Sequence, residues 1–308
     1  FVLLIKGADF FVDGSASVAK KLRVPTMIIG MTIVAMGTSA PECAVSIAAS
    51  VKGSNTMAIS NVIGSNIFNL MIVCGACALF TPLAVKASTL KQEFPLSILA
   101  AILLLGMGYL GMSLNRIEGV ILLVIFAGFL LWMVWEAKKA RNNTEIEEIE
   151  TLSGWKCLIY IIGGIIAIII GGDLVVDSAS AIAADFGLSQ TLIGLTIVAF
   201  GTSLPELVTS LVAAKKGETD MALGNVIGSN LFNILLVLGV AAAVSPMAML
   251  NENLIDDVIL IAISVLVWIF AWTKKKLNRV HGIIMIAIYA AYVVYICTVS
   301  YTHLRAHE

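Results

Sequence analysis

Two glutamates carry the most chemistry in this chain. Glu42 and Glu206 each close the motif Gly-Thr-Ser-X-Pro-Glu, with Gly37, Thr38, Ser39 and Pro41 before the first and Gly201, Thr202, Ser203 and Pro205 before the second. Both stand within long apolar stretches. A carboxylate at the centre of a bilayer costs at least about 2.5 kcal/mol on insertion scales and usually faces a cavity or a bound cation. Proline removes one amide donor and crowds the carbonyl four residues back, so helices are expected to open at Met36 to Ala40 and at Phe200 to Leu204. The carbonyls freed there are further oxygen ligands. Irregular backbone at this depth is tolerated where it is buried in protein or lines a cavity.

A second duplicated motif supplies neutral oxygens. NVIGSNIFN runs from Asn61 to Asn69 and NVIGSNLFN from Asn225 to Asn233. Ser65 and Asn69, like Ser229 and Asn233, are four residues apart and share one helix face. Glu42 and Asn66 lie twelve residues on either side of Ser54, so both are about 18 Å deep at 1.5 Å per residue. Glu206 and Asn230 stand in the same relation to Glu218. Asn66 and Asn230 read equally as caps of the helix breaks or as ligands. The resulting inventory is all oxygen with two formal negative charges, which suits hard cations such as Ca²⁺ and Na⁺. Soft metals are excluded, because the motifs hold no histidine and no paired cysteines. Two carboxylates neutralise one Ca²⁺ or two monovalent ions, so the two occupancies exclude each other. Asp9, Asp13, Asp173 and Asp177 repeat at spacing four outside these motifs and are assigned a structural or gating role.

The elements that must position these residues follow from composition. Of 308 residues, 59% are apolar and 13% charged, with a mean hydropathy of +1.00, which excludes an ordinary water-soluble globule. A net charge of -1 argues against a nucleic-acid partner. Breaks at Gly, Pro, Asn and charge clusters predict an all-α membrane protein with ten spans: 1–20, 26–51, 56–80, 92–112, 116–136, 155–184, 189–214, 219–244, 254–273 and 280–299. Loops after the odd-numbered spans hold 15 of the 19 Lys and Arg, which places those loops in the cytoplasm and both termini outside. The five cysteines lie in apolar runs and are read as packed thiols. Segment 300–308 abandons the apolar composition and is set apart as a non-native or disordered tail.

Shifting the sequence on itself by 164 residues superimposes both motifs without a gap, and 25 of the 41 positions from Ile29 to Asn69 are identical to their mates. The chain is therefore a duplication. The first five-helix repeat occupies 1–136, an acidic cytoplasmic linker 137–154, and the second repeat 155–299. Five is odd, so the second copy must enter from the opposite side, giving two inverted-topology five-helix repeats with the site at their interface near the midplane. The second copy's first helix begins near Trp155, so span 1 is expected to extend about ten residues upstream of Phe1.

With these motifs the chain resembles the cation/calcium antiporter superfamily, and within it the prokaryotic sodium/calcium exchangers, over residues 1 to about 299. The resemblance implies a core of spans 2, 3, 7 and 8 with spans 1 and 6 sliding across it. It implies Glu42, Glu206, Thr38 and Thr202 as calcium ligands, Ala35 and Ala199 as carbonyl donors, Ser39, Ser203, Ser65 and Ser229 as sodium ligands, and Asn69 as a central polar residue. Asn233 stands where some relatives, including potassium-dependent ones, carry aspartate, which weakens any case for potassium. The linker lacks large calcium-sensing domains. The expected function is Na⁺/Ca²⁺ antiport by alternating access in the cell (inner) membrane, with Ca²⁺/H⁺ exchange as the alternative. No cofactor and no obligate protein partner are expected. An intramembrane hydrolase is disfavoured, because no HExxH and no histidine–nucleophile set accompanies the acids, and a channel would differ by lacking obligatory counter-transport.

Overall fold

The computed structural model describes residues 1–51, 55–142, 151–186 and 199–306. Helices account for nearly all of it. In chain order they are α1 (Val2–Leu22), α2 (Thr26–Thr38), α3 (Ala40–Val51), α4 (Met57–Phe80), α5 (Thr89–Gly111), α6 (Arg116–Asn142), α7 (Gly154–Asp185), the single turn α8 (Ala199–Gly201), α9 (Leu204–Lys215), α10 (Thr219–Val244), α11 (Asn251–Trp272) and α12 (Arg279–Ala306). Among the described residues seven helices are long and apolar enough to cross a membrane, and eight if the bent pair α2–α3 is one crossing. Two of the ten expected spans are not in that count. Span 1–20 is α1, whose apolar run is broken by Lys6, Asp9 and Asp13. Span 189–214 begins outside the described residues, and residues 143–150 of the acidic linker also lie outside them. The last helix runs on to Ala306, into the segment set apart as a tail.

Enclosure ranks the helices. α4 and α10 have mean hydropathies of 1.9 and 2.0, below the 2.4–2.5 of α6, α7 and α11, yet 78% and 83% of their apolar windows are buried inside the protein, against 22–33% for those three. α4 and α10 form the centre because they carry small and amide residues that let neighbours approach closely. A Cβ on Gly224 would meet the Met27 carbonyl at 2.6 Å, and one on Gly228 the Met31 Cα at 2.5 Å, so α2 lies directly on the α10 backbone.

Each end of the α5–α11 pair is tied by a two-residue strand pair. β1 (Leu83–Ala84) runs antiparallel to β4 (Lys276–Leu277), and β2 (Ser113–Leu114) to β3 (Met247–Ala248). β3 is β1 moved by 164 residues. Because α5 joins β1 to β2 across 23 residues, about 34 Å of helix, β1 and its mate β3 stand at opposite ends of the protein. The Trp268 indole N–H donates to the Leu90 carbonyl at 2.7 Å, holding the two helices side by side.

Candidate ion-binding site

The break in the first motif is narrower than proline alone predicts. α2 stays helical through Thr38, only Ser39 leaves the helix (φ -82, ψ 9), and α3 restarts at Ala40 with a bend of 50°. In the second copy the break spans Thr202 and Ser203, and α9 restarts at Leu204. The expected openings over Met36 to Ala40 and Phe200 to Leu204 are thus corrected to one and two residues. Proline falls in the first turn of the following helix, where its missing N–H has no intrahelical partner to lose. Disruption is spread instead into π-helical turns at Gly30–Val34, Asn69–Val73 and Asn233–Val237, the last two related by the repeat. Such turns recur at functional sites because they widen the helix and disturb its carbonyl register.

The two motifs do meet at one level, and they meet across the halves. The Ser203 hydroxyl donates to Glu42 Oε1 at 3.0 Å, and the Ser39 hydroxyl to Glu206 Oε1 at 2.8 Å. Ser65 Oγ lies 3.3 Å from Ser203 Oγ. Asn66 and Asn230 cross reciprocally, each side-chain amide donating to the other's main-chain carbonyl at 3.2 Å. Their side-chain oxygens in turn accept from the amides of Asn233 at 3.1 Å and Asn69 at 3.2 Å. Asn66 and Asn230 therefore bridge the halves, and their oxygens are committed to each other's neighbours.

That bridging orients the side chains beside it. With their amide nitrogens engaged, Asn69 and Asn233 keep their side-chain oxygens without a hydrogen-bond donor. The same holds for Glu42 Oε2, Glu206 Oε2, Ser229 Oγ and Thr202 Oγ1. Thr202 is half-buried; Glu42, Glu206, Asn69, Asn233 and Ser229 are fully enclosed. Six oxygens of the sequence-predicted set, two on the carboxylates and four on neutral side chains, are thus unsatisfied, whereas buried polar groups in proteins are overwhelmingly hydrogen-bonded. No third acid and no histidine or cysteine joins them among the described residues. Oxygen ligands with two negative charges are what a hard cation requires.

The remaining predicted residues divide. Thr38 is buried and donates to Asn225 Oδ1 at 3.1 Å. The Ala35 carbonyl accepts the Ser39 amide at 3.0 Å, while the equivalent Ser203 amide bonds Phe200 rather than Ala199, at 3.2 Å. Asp9 and Asp13 lie apart, gathered by Lys216 at 3.5 and 2.7 Å, and Asp173 and Asp177 are exposed on α7. Cys43, Cys74, Cys77 and Cys157 are free thiols. Sequence reasoning missed Glu93 and Asp257, which sit 164 residues apart on α5 and α11. Both are buried; Glu93 Oε2 and both oxygens of Asp257 have no partner. The same shift that found the motifs would have found them.

Comparison with known proteins follows the same lines. The sodium/calcium exchanger protein family model matches residues 1–135 and 156–298. A putative antiporter, CaxA of Alkalimonas amylolytica, is 42% identical over 94% of both chains. The sodium/calcium exchanger MaX1 of Methanosarcina acetivorans is 32% identical over 95% of both, and the inner membrane protein YrbG of Escherichia coli 38% over 80% of this chain and 78% of its own. Solved structures of the sodium-calcium exchanger NCX_Mj superimpose with a TM-score of 0.82 at 36% identity, covering 95% of each chain. A duplicated oxygen site and matches running through both halves make this a multi-pass membrane transporter: the chain belongs to the sodium/calcium exchanger protein family.

Proposed function

We propose that the chain is a secondary antiporter that exchanges Na⁺ for Ca²⁺ by alternating access, with the oxygens gathered between the halves as the ion site. The observation that carries this reading is the set of six donor-free oxygens, two on the carboxylates and four on neutral side chains, because hydrogen bonding within the protein leaves them to a cation. Glu42 and Glu206 supply the two charges that one Ca²⁺ or two Na⁺ neutralise. Thr38, Thr202, Ser39, Ser203, Ser65, Ser229, Asn69 and Asn233 surround them with side-chain oxygens, and Ala35 and Ala199 with carbonyls. Asn at both 69 and 233 leaves no third acid for an additional monovalent cation, so exchange proceeds without potassium. The ions are cargo; no resident cofactor, nucleic acid or obligate protein partner enters the cycle.

Ten crossings arranged as two inverted five-helix repeats fit the placement of β1 and β3 at opposite ends of α5 and α11. The same placement supports the orientation read from charge. β1 and β4, paired with each other, both adjoin lysine-rich loops, and Lys86 of that region pairs with Asp220 at the start of α10 at 2.5 Å. Those loops face the cytoplasm and both termini face outward, in a cell membrane.

Radioactive Ca²⁺ uptake into Na⁺-loaded proteoliposomes tests the reading. Uptake is expected to require the Na⁺ gradient, to proceed in potassium-free buffer and to be abolished by Glu42→Gln or Glu206→Gln. Uptake driven by a pH gradient without Na⁺ would instead assign Ca²⁺/H⁺ exchange, and flux without exchangeable ion on the opposite side would assign a channel.

A further inference from the structure

Two asparagines outside the ion ligand set occupy repeat-related positions, and their hydrogen bonds differ in one respect. Asn225 donates its amide to the Ser210 hydroxyl at 2.9 Å; its mate Asn61 donates to Ser46, the mate of Ser210, at 3.1 Å. Each amide is thereby anchored in its own half with its side-chain oxygen turned away. Asn225 Oδ1 receives the Thr38 hydroxyl from the other half at 3.1 Å. The corresponding bond, Thr202 to Asn61, is absent: Thr202 Oγ1 is enclosed and has no partner. Burial follows the bonding, since Thr38 and Asn225 are fully buried whereas Thr202 and Asn61 are half-buried. The backbone differs in the same place, the Ser39 amide reaching Ala35 while the Ser203 amide reaches only Phe200.

Thr38 has other acceptors in reach, the Val34 and Ala35 carbonyls at 3.2 and 3.4 Å. The Glu206 carboxylate also lies within reach of the Thr38 hydroxyl; Asn225 Oδ1, at 3.1 Å, is nearer than either carbonyl, and the Asn225 amide is fixed in its own half by Ser210. On this flank α2 also lies against α10 at Gly224 and Gly228. Asn225 is six residues into α10 from the lysine-rich loop, and Asn61 six residues beyond Asn55, the start of the helix that continues as α4, on the opposite side. The bonded flank is the one turned toward the lysine-rich face.

We propose that Asn225 and Asn61 are alternating latches: Asn225 holds Thr38 in the state seen here, and Asn61 takes Thr202 in the opposite state. Both are positioning residues rather than ion ligands, each moving a proposed ligand threonine through its hydroxyl. A sequence duplicated but inverted can use one bond twice in this way, because the bond made in one half is the bond surrendered in the other. The inference rests on the alternating-access reading but not on which ions are carried.

Amide hydrogen exchange of the full reconstituted chain, without Na⁺ or Ca²⁺, tests it. Asn225→Leu removes the bond made in the state seen here, so exchange of Thr26–Thr38 and of the first turns of α10 rises about two- to ten-fold, the range expected for one net hydrogen bond. Asn61→Leu weakens the opposite state and slows exchange of the same segments by a similar factor; the double variant returns near the original rate. Asn225→Ala, with the same expected sign, replaces Asn225→Leu if that protein is not monodisperse. Faster exchange in both single variants would mean ordinary packing damage, and no change in either would mean the bond carries no bias; each result overturns the latches. Since no transported ion is present, a failure here is separate from a failure of Na⁺-driven uptake.

Discussion

The crossed asparagines make the sharpest energetic prediction. Asn230→Ala removes two buried side-chain bonds, the amide to the Asn66 carbonyl and the acceptor for the Asn69 amide. It also strands the Asn69 amide in an enclosed position. Each net bond is worth about 0.5–1.5 kcal/mol and a stranded buried donor costs about 1–3 kcal/mol, so the total is about 2–6 kcal/mol. Release of Asn69 has a second effect, because its side chain can turn and present a nitrogen donor where an oxygen ligand is required. Apparent Ca²⁺ affinity is then expected to fall by at least ten-fold, equivalent to about 1.4 kcal/mol. The assays are thermal unfolding in detergent and the Ca²⁺ dependence of Na⁺-driven uptake. Asn66→Ala disturbs the mirror-image bonds to Asn230 and Asn233 and should match Asn230→Ala in both measurements. The double variant should be far from additive, since the two residues share one network. An Asn230→Ala protein with unchanged melting temperature and unchanged Ca²⁺ dependence would refute this account of how the ligands are oriented.

Other substitutions separate strong features from weak ones. Gly224→Val places a side chain where even a Cβ would meet the Met27 carbonyl at 2.6 Å, and is expected to abolish transport; uptake at the original rate would contradict the close α2–α10 packing. Asp257→Leu replaces an enclosed carboxyl with no partner, so the melting temperature in detergent should rise, because removing an unsatisfied polar group restores stability; a lower melting temperature would mean that the carboxyl has a structural partner. Lys216→Ala breaks the contacts to Asp9 and Asp13, but the partners are partly solvated and such pairs contribute little, so uptake should change by less than about five-fold. A larger loss would assign the cluster a gating role.

The site was legible in sequence because the duplication filters out chance: Glu42, Glu206, Ser39 and Ser203 were found by one shift and are found together in space. Less visible was how they are held. Asn66 and Asn230 offered no means of choosing between cap and ligand, because the choice depends on a carbonyl contributed by the other half. The π-turn at Asn69–Val73 leaves no mark in apolar periodicity, since one extra residue in a turn of a wholly buried helix exposes nothing polar. Strands of two residues carry no alternation from which they can be predicted. Asp257 lies in no motif that would single it out, although it maps onto Glu93 by the same shift that located the motifs.

The exchange of partners between halves also constrains how the molecule is made. Glu42 waits for Ser203, 161 residues later, and β1 waits for β4 near the start of the last helix. At about 5–20 residues per second, the first glutamate spends about 8–32 s without the hydroxyl that completes its surroundings. A nascent first half must therefore reside in the membrane as an intermediate, its acid provisionally solvated or neutralised by other means. A chain interrupted between the halves would leave each glutamate without the serine hydroxyl that the other half donates to it.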